Sequence, residues 1–382
     1  MIKIFVTGDV HIGKTYDRYP EIREELVSAR INCLKRCVLR AEEEHCDLFA
    51  VTGDLFDNTS RIRLRDVEET VGILSGFGGR VLVIPGNHDY YTGEEKLWRD
   101  FEAALGRTEN DIMLMKEFRP YTFEVGEETV TVYPAYCQSK HSHENNLGWI
   151  RELSPDGADY RVGMAHGTIL GVSPDENMQY FPMSEKELGS LPADVWLIGH
   201  THVPYPSGIR EDSESYGFRI LNAGTPQQTD FSNGTPGKCF IVGLDKKDGA
   251  VEVCVRSFIS GGIRFFDIHA FSSGTDLRQT AEESLKDLPD RSVVRLTLAG
   301  PASREDYEAR DRICSEVLSR FLSSESDTRE LYEVITRERI RSDFAEIGFA
   351  AAFLEALDDP IELQMAYGLI RKYQDRDEGG LG

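Results

Sequence analysis

No apolar run in these 382 residues is longer than a strand; Val81 to Pro85 and Val195 to Ile198 are among the longest. A membrane-spanning helix needs about 20 such residues, so no membrane association is expected. The opening stretch, Met1 to Asp9, lacks the long apolar core and small-residue cleavage site of a secretory signal. It reads instead as a strand running into a loop. Cysteine is sparse: seven residues, an odd number, with no CxxC pair. That pattern suggests reduced thiols and a cytoplasmic location. Cys33 and Cys37, four apart on an expected helix, read as packing residues. Basic residues are scarce too, 43 Lys and Arg against 66 Asp and Glu, for a formal net charge of -23. Such a chain does not coat duplex DNA by bulk charge, because that binding neutralises phosphates with Lys and Arg. A local basic path, or a substrate gripped through metal ions, stays open. The charge itself favours solubility. Internal repeats and low-complexity segments are absent.

What is present is an alternation of strand and helix. Residues 2–7 read as a strand. Residues 20–45 read as a helix, with Ile22, Leu26, Ala29, Cys33, Leu34, Cys37, Val38 and Ala41 on one face. Strands are expected at 47–52 and 80–84, with a helix at 67–77 between them. This order predicts a largely parallel sheet covered by helices. Residues 122–133 alternate as antiparallel strands do, 161–165 and 195–198 read as buried strands, and 218–222, 238–244 and 250–257 as closing strands. Gly261-Gly262 marks a boundary. A β-α-β-α-β pattern follows, with strands at 263–270, 292–298 and 330–337 and helices at 275–288 and 305–322. A tail from about residue 341 carries two amphipathic stretches, 344–357 and 361–373. The expected domains are 1–260, 261–340 and 341–382.

The chemistry lies where these strands end. Asp9-x-His11 follows the first, Gly53-Asp54 the second and Gly86-Asn87-His88-Asp89 the third. His166-Gly167 and Gly199-His200-Thr201-His202 follow two later strands. In open α/β sheets ligands bind at the carboxyl ends of strands, so five strands aim Asp, Asn and His at one rim. Carboxylate and neutral imidazole suit borderline divalent metals, and Asn adds a neutral oxygen. A lone HxH or GD says little; five such pieces in order point to a metal centre.

This series resembles the calcineurin-like metallophosphoesterase superfamily over roughly residues 1–260. The resemblance implies an α/β fold: a four-layer α-β-β-α sandwich, followed here by a smaller α+β capping domain. It implies two divalent ions, manganese first, with iron or zinc also suitable. One would be held by Asp9, His11, Asp54 and His202, the other by Asp54, Asn87, His166 and His200, with Asp54 bridging. Such a pair clamps a phosphate and offsets charge on its attacking and leaving oxygens. His88 would donate a proton to the leaving oxygen or stabilise charge, and Asp89 would orient His88. Within the superfamily, Val51 to Asp57 (VTGDLFD) is similar to the bacterial SbcD nucleases, relatives of the meiotic-recombination nuclease of double-strand-break repair. Eukaryotic and archaeal members of that group usually carry His where Asp57 stands. This narrower likeness implies a DNA exonuclease or endonuclease acting in repair. It also implies an ATPase partner of the SbcC type at the C-terminal helices, and a homodimer. The rival substrate is a nucleotide or other small phosphate ester, which the acidic balance favours.

Other residues carry weaker signals. Arg61, Arg63 and Arg65 follow the Asp54 loop and either grip DNA phosphates or begin a solvated helix. Tyr90 and Tyr91 either stack on a base or pack. His141 and His143 lie in an exposed polar loop between ligand-bearing segments. His45 and His269 have no partner pattern. In the tail, Phe344, Ile347, Ala351 and Leu354 share a helical face, widened by Phe349 and Phe353, that docks on the chain itself or on a partner.

Overall fold

The computed structural model describes all residues except 154–156, 173–174, 176, 275, 345–347 and 379–382. Thr275 and Ile347, included in the expectations above, therefore lie outside the described residues. The chain divides into two compact units, Met1–Arg264 and Phe265–Gly382.

In the first unit, β1 (Ile2–Thr7), β2 (Leu48–Val51), β3 (Arg80–Val83) and β4 (Ile112–Leu114) run parallel. They are joined through α1 (Arg23–Glu43), α2 (Leu64–Leu74) and α3 (Lys96–Leu105). A second sheet takes β5 (Tyr121–Val125), β6 (Glu128–Ala135), β7 (Tyr160–His166), then, after the short α4 (Glu185–Gly189), β8 (Val195–Gly199) and, after β9 (Ser215–Tyr216), β10 (Ile220–Asn222). The chain then returns to the first sheet with β11 (Lys238–Lys247) and β12 (Ala250–Ile259). The sheet orders are β4-β3-β2-β1-β11-β12-β9 and β10-β8-β7-β6-β5.

Alternation along each strand explains the layering, since successive side chains point to opposite faces. Ile2, Ile4 and Val6 of β1, Leu48 and Ala50 of β2 and Leu82 of β3 pack with Val130, Val132, Val162, Met164, Val195 and Leu197 of the second sheet. Phe5, Phe49, Val51, Val81 and Val83 point the other way, onto Cys33, Leu34, Cys37 and Val38 of α1, Val67 and Val71 of α2, and Trp98 and Phe101 of α3. Behind the second sheet, Tyr133, Ala165, Trp196 and Ile198 are covered by Leu147, Ile150 and Leu188. The result is the α-β-β-α sandwich. Each large apolar side chain so buried is worth roughly 1.5–3 kcal/mol. Cys33 and Cys37 are packing residues, fully buried beside Cys239.

The second unit holds a three-stranded sheet, β13 (Arg264–Phe271), β14 (Ser292–Ala302) and β15 (Ser323–Glu333) in that order, with α5 (Leu277–Leu285) and α6 (Arg304–Leu318). β14 and β15 are parallel. Leu277, Ala281, Leu296, Leu298, Ile313 and Leu318 form its core. Helices α7 (Arg337–Asp343), α8 (Phe349–Glu355) and α9 (Pro360–Glu378) follow in the same unit. Phe344, Ala351 and Leu354 are buried against Ile340 and Tyr367, so that part of the tail packs on its own neighbours. Phe344 caps α7 rather than opening α8. Phe349 is 86% exposed. No helix among the described residues is long and apolar enough to cross a membrane.

Candidate metal centre

All seven expected donors converge where β1, β2, β3, β7 and β8 end. The loops after β1 and β2 stay bonded past their strands: Asp9 N donates to Gly53 O (3.0 Å), His11 N to Asp54 O (2.9 Å) and Asp57 N to Ile12 O (2.9 Å). Asp9, His11, Asp54 and His200 sit at φ 51°, 50°, 51° and 100°. Non-glycine residues hold such left-handed backbone only where their surroundings over-determine it, and such strain clusters at functional sites. Gly53 has φ +94°, and a Cβ there would lie 2.3 Å from His166 Nδ1, so only glycine fits.

Two groups of donor atoms emerge. His11 Nε2 and His202 Nε2 face each other at 3.1 Å. Asp54 Oδ2 is 3.8 Å from His11 Nε2, and Asp9 Oδ1 is 4.0 Å from His202 Nε2. In the second group, Asn87 Oδ1 is 2.9 Å from His166 Nε2 and 3.0 Å from His200 Nδ1. Asp54 Oδ2 is 3.4 Å from that same His166 nitrogen. Four donors each about 2.1 Å from one ion are about 3.4 Å apart, so both groups have the spacing a metal requires. Asp54 belongs to both: its Oδ1 accepts from His88 N (2.8 Å), leaving Oδ2 between His11 and His166. Neighbouring groups orient the donors, as is usual at metal sites. His166 Nδ1 bonds to Thr52 O (2.9 Å), and both oxygens of Asp9 accept from His200 N (3.1 and 3.0 Å). Asn87 Nδ2 donates to Lys140 O (3.4 Å), which turns Oδ1 inward. His11 Nδ1 is buried without a hydrogen bond, 3.4 Å from Asp57 Oδ1.

The electrostatics match a site built for cations. Burial pushes Asp9 up to about 7. It would raise Asp54 as well, but His166, His11 and His88 reverse that and hold Asp54 well below the usual carboxylate range. Burial lowers His11 and takes His202 well down. Burial and the neighbouring His166 bring His200 down to about 3. His166 alone goes the other way: burial opposes its charge, but Asp54 overrides it and lifts His166 to about 9. Without metal, one buried imidazolium–carboxylate pair stands among three neutral imidazoles, which are ready ligands.

The remaining expected residues divide. The His88 ring lies edge-on to His11 (4.8 Å between centroids), and its Nδ1 bonds to the carbonyl oxygen of Asp57 (2.9 Å). Asp89 does not orient His88. Its Oδ1 accepts from Gly86 N (2.6 Å) and its Oδ2 from Phe56 N (3.0 Å), so it ties two ligand loops together, and burial raises it to about 7. Tyr91 is half-buried, packed against Tyr136 and under Lys116. Tyr90 is half-buried, with its carbonyl bonded by Trp98 Nε1 (3.2 Å). Arg63 and Arg65, themselves exposed, are both turned onto Asp66 at the start of α2 (2.8 and 3.4 Å), in surface pairs of the kind worth little, and Arg61 is exposed beside them. His45 and His269 are exposed and outside the donor groups.

Three parts of the site were not read from sequence as site residues. Asp57 holds the His88 ring and faces His11, although it stands in the same GDLFD loop as Asp54. Arg30, fully buried, donates to Val10 O (2.5 Å) and the Tyr16 hydroxyl (2.6 Å) and so braces the loop between Asp9 and His11. Tyr180 lies beside His200. Nothing in the spacing of Arg30 or Tyr180 marks them.

Two donor groups sharing one carboxylate lie at the carboxyl ends of two packed sheets, and both could hold a metal ion. Residues 2–204, more than half the chain, match the calcineurin-like phosphoesterase family, and the chain belongs to it. It is 29% identical over 204 residues to the uncharacterized metallophosphoesterase YhaO of Bacillus subtilis (strain 168), covering 51% of this chain and 47% of that protein. The chain thus spans about half the length of that relative. Among solved structures, the purple acid phosphatase PPD1 from yellow lupin (Lupinus luteus) seeds overlaps 58% of this chain and 43% of its own. The identity is 13% and the TM-score 0.35.

Proposed function

We propose that the chain is a two-metal phosphodiesterase that hydrolyses DNA, an exonuclease or endonuclease of the SbcD kind with repair duties. The observation that carries the hydrolytic part is the position of Asp54 Oδ2 between His11 and His166. One ion would be held by Asp9, His11, Asp54 and His202, the other by Asp54, Asn87, His166 and His200. Mixed imidazole, carboxylate and amide donors suit manganese, iron or zinc. When bound, such a pair offsets the negative charge that builds on a phosphoryl group and its attacking and leaving oxygens.

His88 supplies proton transfer. Because the Asp57 carbonyl accepts from Nδ1, that nitrogen keeps its proton, and Nε2 is the atom that takes up and hands over a proton. In the charged ring, Nε2–H protonates the leaving oxygen. Asp57 aims the ring, and Asp89 fixes the loops that carry Asp54 and Asn87.

The likeness of the GDLFD loop to SbcD and the β-α-β-α-β order of the second unit support DNA as substrate. The reading in favour of nucleotides or small phosphate esters also has a specific support: Arg63 and Arg65 are committed to Asp66 on a chain of net charge -23. A scaffold that has lost catalysis is disfavoured by the intact donor set. On α9, Met365, Leu369 and Tyr373 form an exposed stripe at helical spacing (64%, 56% and 65%), which supports an SbcC-type ATPase partner there. The homodimer rests on the family likeness alone. The test is turnover with manganese on labelled linear DNA beside bis-p-nitrophenyl phosphate. Cleavage of both is expected. Cleavage of the dye ester alone would move the assignment to small esters, and no turnover with two ions bound would end the hydrolase reading.

A further inference from the structure

Beyond the donors, a strip of rings runs outward from the site. Tyr180 lies 4.8 Å from His200, centroid to centroid, with the planes 33° apart. His141, an exposed residue, lies 5.1 Å from Tyr180. Both rings are held by backbone bonds. Thr168 N donates to Tyr180 O (2.8 Å), and Met183 N to Thr168 O (2.8 Å). The His141 loop is zipped onto this excursion by Ser142 N to Gln179 O (2.8 Å) and Phe181 N to Ser142 O (2.9 Å). Its other end is tied to the site through Asn87 Nδ2 and Lys140 O. Met178 and Phe181, which bracket Tyr180, have φ 49° and 51°. Left-handed backbone thus recurs on this excursion, beside the site.

We propose that Tyr180 and His141 form a stacking wall for the organic group of the substrate, so that the site selects phosphodiesters carrying a nucleobase or similar flat aromatic ring. This rests on the phosphodiesterase reading above. A ring beside the metal donors offers every base a π-face without reading its edges, so selectivity is for aromatic against alkyl esters rather than for one base.

The test compares two esters with one leaving group, thymidine 5′-(p-nitrophenyl phosphate) and methyl p-nitrophenyl phosphate, on the full chain with manganese. The native protein should favour the thymidine ester. Tyr180→Leu should lower the ratio of the two kcat/KM values about tenfold, as expected for one lost base–ring stack, through KM rather than kcat. His141→Ala should lower it less, and Tyr180→Phe should retain it. An unchanged ratio in Tyr180→Leu would overturn the stacking wall. So would an equal loss on both esters accompanied by loss of bound manganese, which would show that the ring merely supports His200. Failure of the native protein to cleave either ester would instead overturn the phosphodiesterase reading beneath it.

Discussion

Asp54, His88 and His166 show how much single side chains decide here. His88 is not one of the seven expected donors: its backbone N donates to Asp54 Oδ1, its ring lies edge-on to His11, and its Nδ1 bonds to Asp57 O. His88→Ala should therefore keep two ions per chain, by elemental analysis, while losing about 10²–10⁴-fold in kcat, the usual span for a lost general acid. Unchanged turnover would remove His88 from the reaction. His166 makes a pH prediction for the chelated protein. Its charge is favoured in the fold, at about 9 against an ordinary 6.5. Its contribution to stability is then complete below 6.5 and is lost as pH rises through 9. Melting temperature in chelator should fall across that window, and excess manganese, which replaces the proton, should remove the fall. A chelated protein whose melting temperature rises there would contradict the His166–Asp54 pair. The convergence of the seven residues was legible in sequence because each follows a strand with glycine or another polar group beside it. Arg30 was not: an arginine on a helix ordinarily reads as solvent-facing, and only its three-dimensional surroundings show it inside, bracing Val10. Asp89 was read as serving its sequence neighbour, whereas it reaches across to Phe56.

At the scale of elements, the loops after β2 and β3 are one mechanical piece, joined by the Asp89 carboxylate. Asp89→Ala should leave two buried amide hydrogens without acceptors and cost about 2–4 kcal/mol in urea unfolding. A loss under about 0.5 kcal/mol would show that the loops do not depend on it. The buried strands were easy to read, since continuous apolar runs such as Val195–Gly199 have few alternative structures. The polar edges were not. β15 begins at Ser323, seven residues before the stretch that looked like strand, because Ser323 to Asp327 is largely exposed and its composition is that of a loop. Pairing with β14, from Val293↔Ser323 onward, makes it strand. α3 likewise escaped notice, although Leu97, Trp98, Phe101 and Ala104 pack it firmly on the first sheet.

For the whole molecule, a charge of -23 sets what the proposed action on DNA would require. Binding to linear duplex should need divalent ions and should vanish in chelator. In manganese the dependence of binding on salt should be shallow, because few phosphates are met by cations; each such contact contributes a slope of about -0.9. Arg61→Ala should flatten that slope by up to about one contact. Arg63→Ala and Arg65→Ala should change it less, since Asp66 already holds those side chains. A steep slope that collapses only when Arg63 and Arg65 are removed would mean that they leave Asp66 to grip the backbone.

The central claim is that donors from five strands seat two ions through a shared Asp54. Anomalous diffraction from manganese-soaked crystals tests it most directly. Two peaks about 3.5–4 Å apart, both in contact with Asp54, and neither present in Asp54→Ala, are the predicted result. A single peak, or two peaks without Asp54 between them, would contradict it.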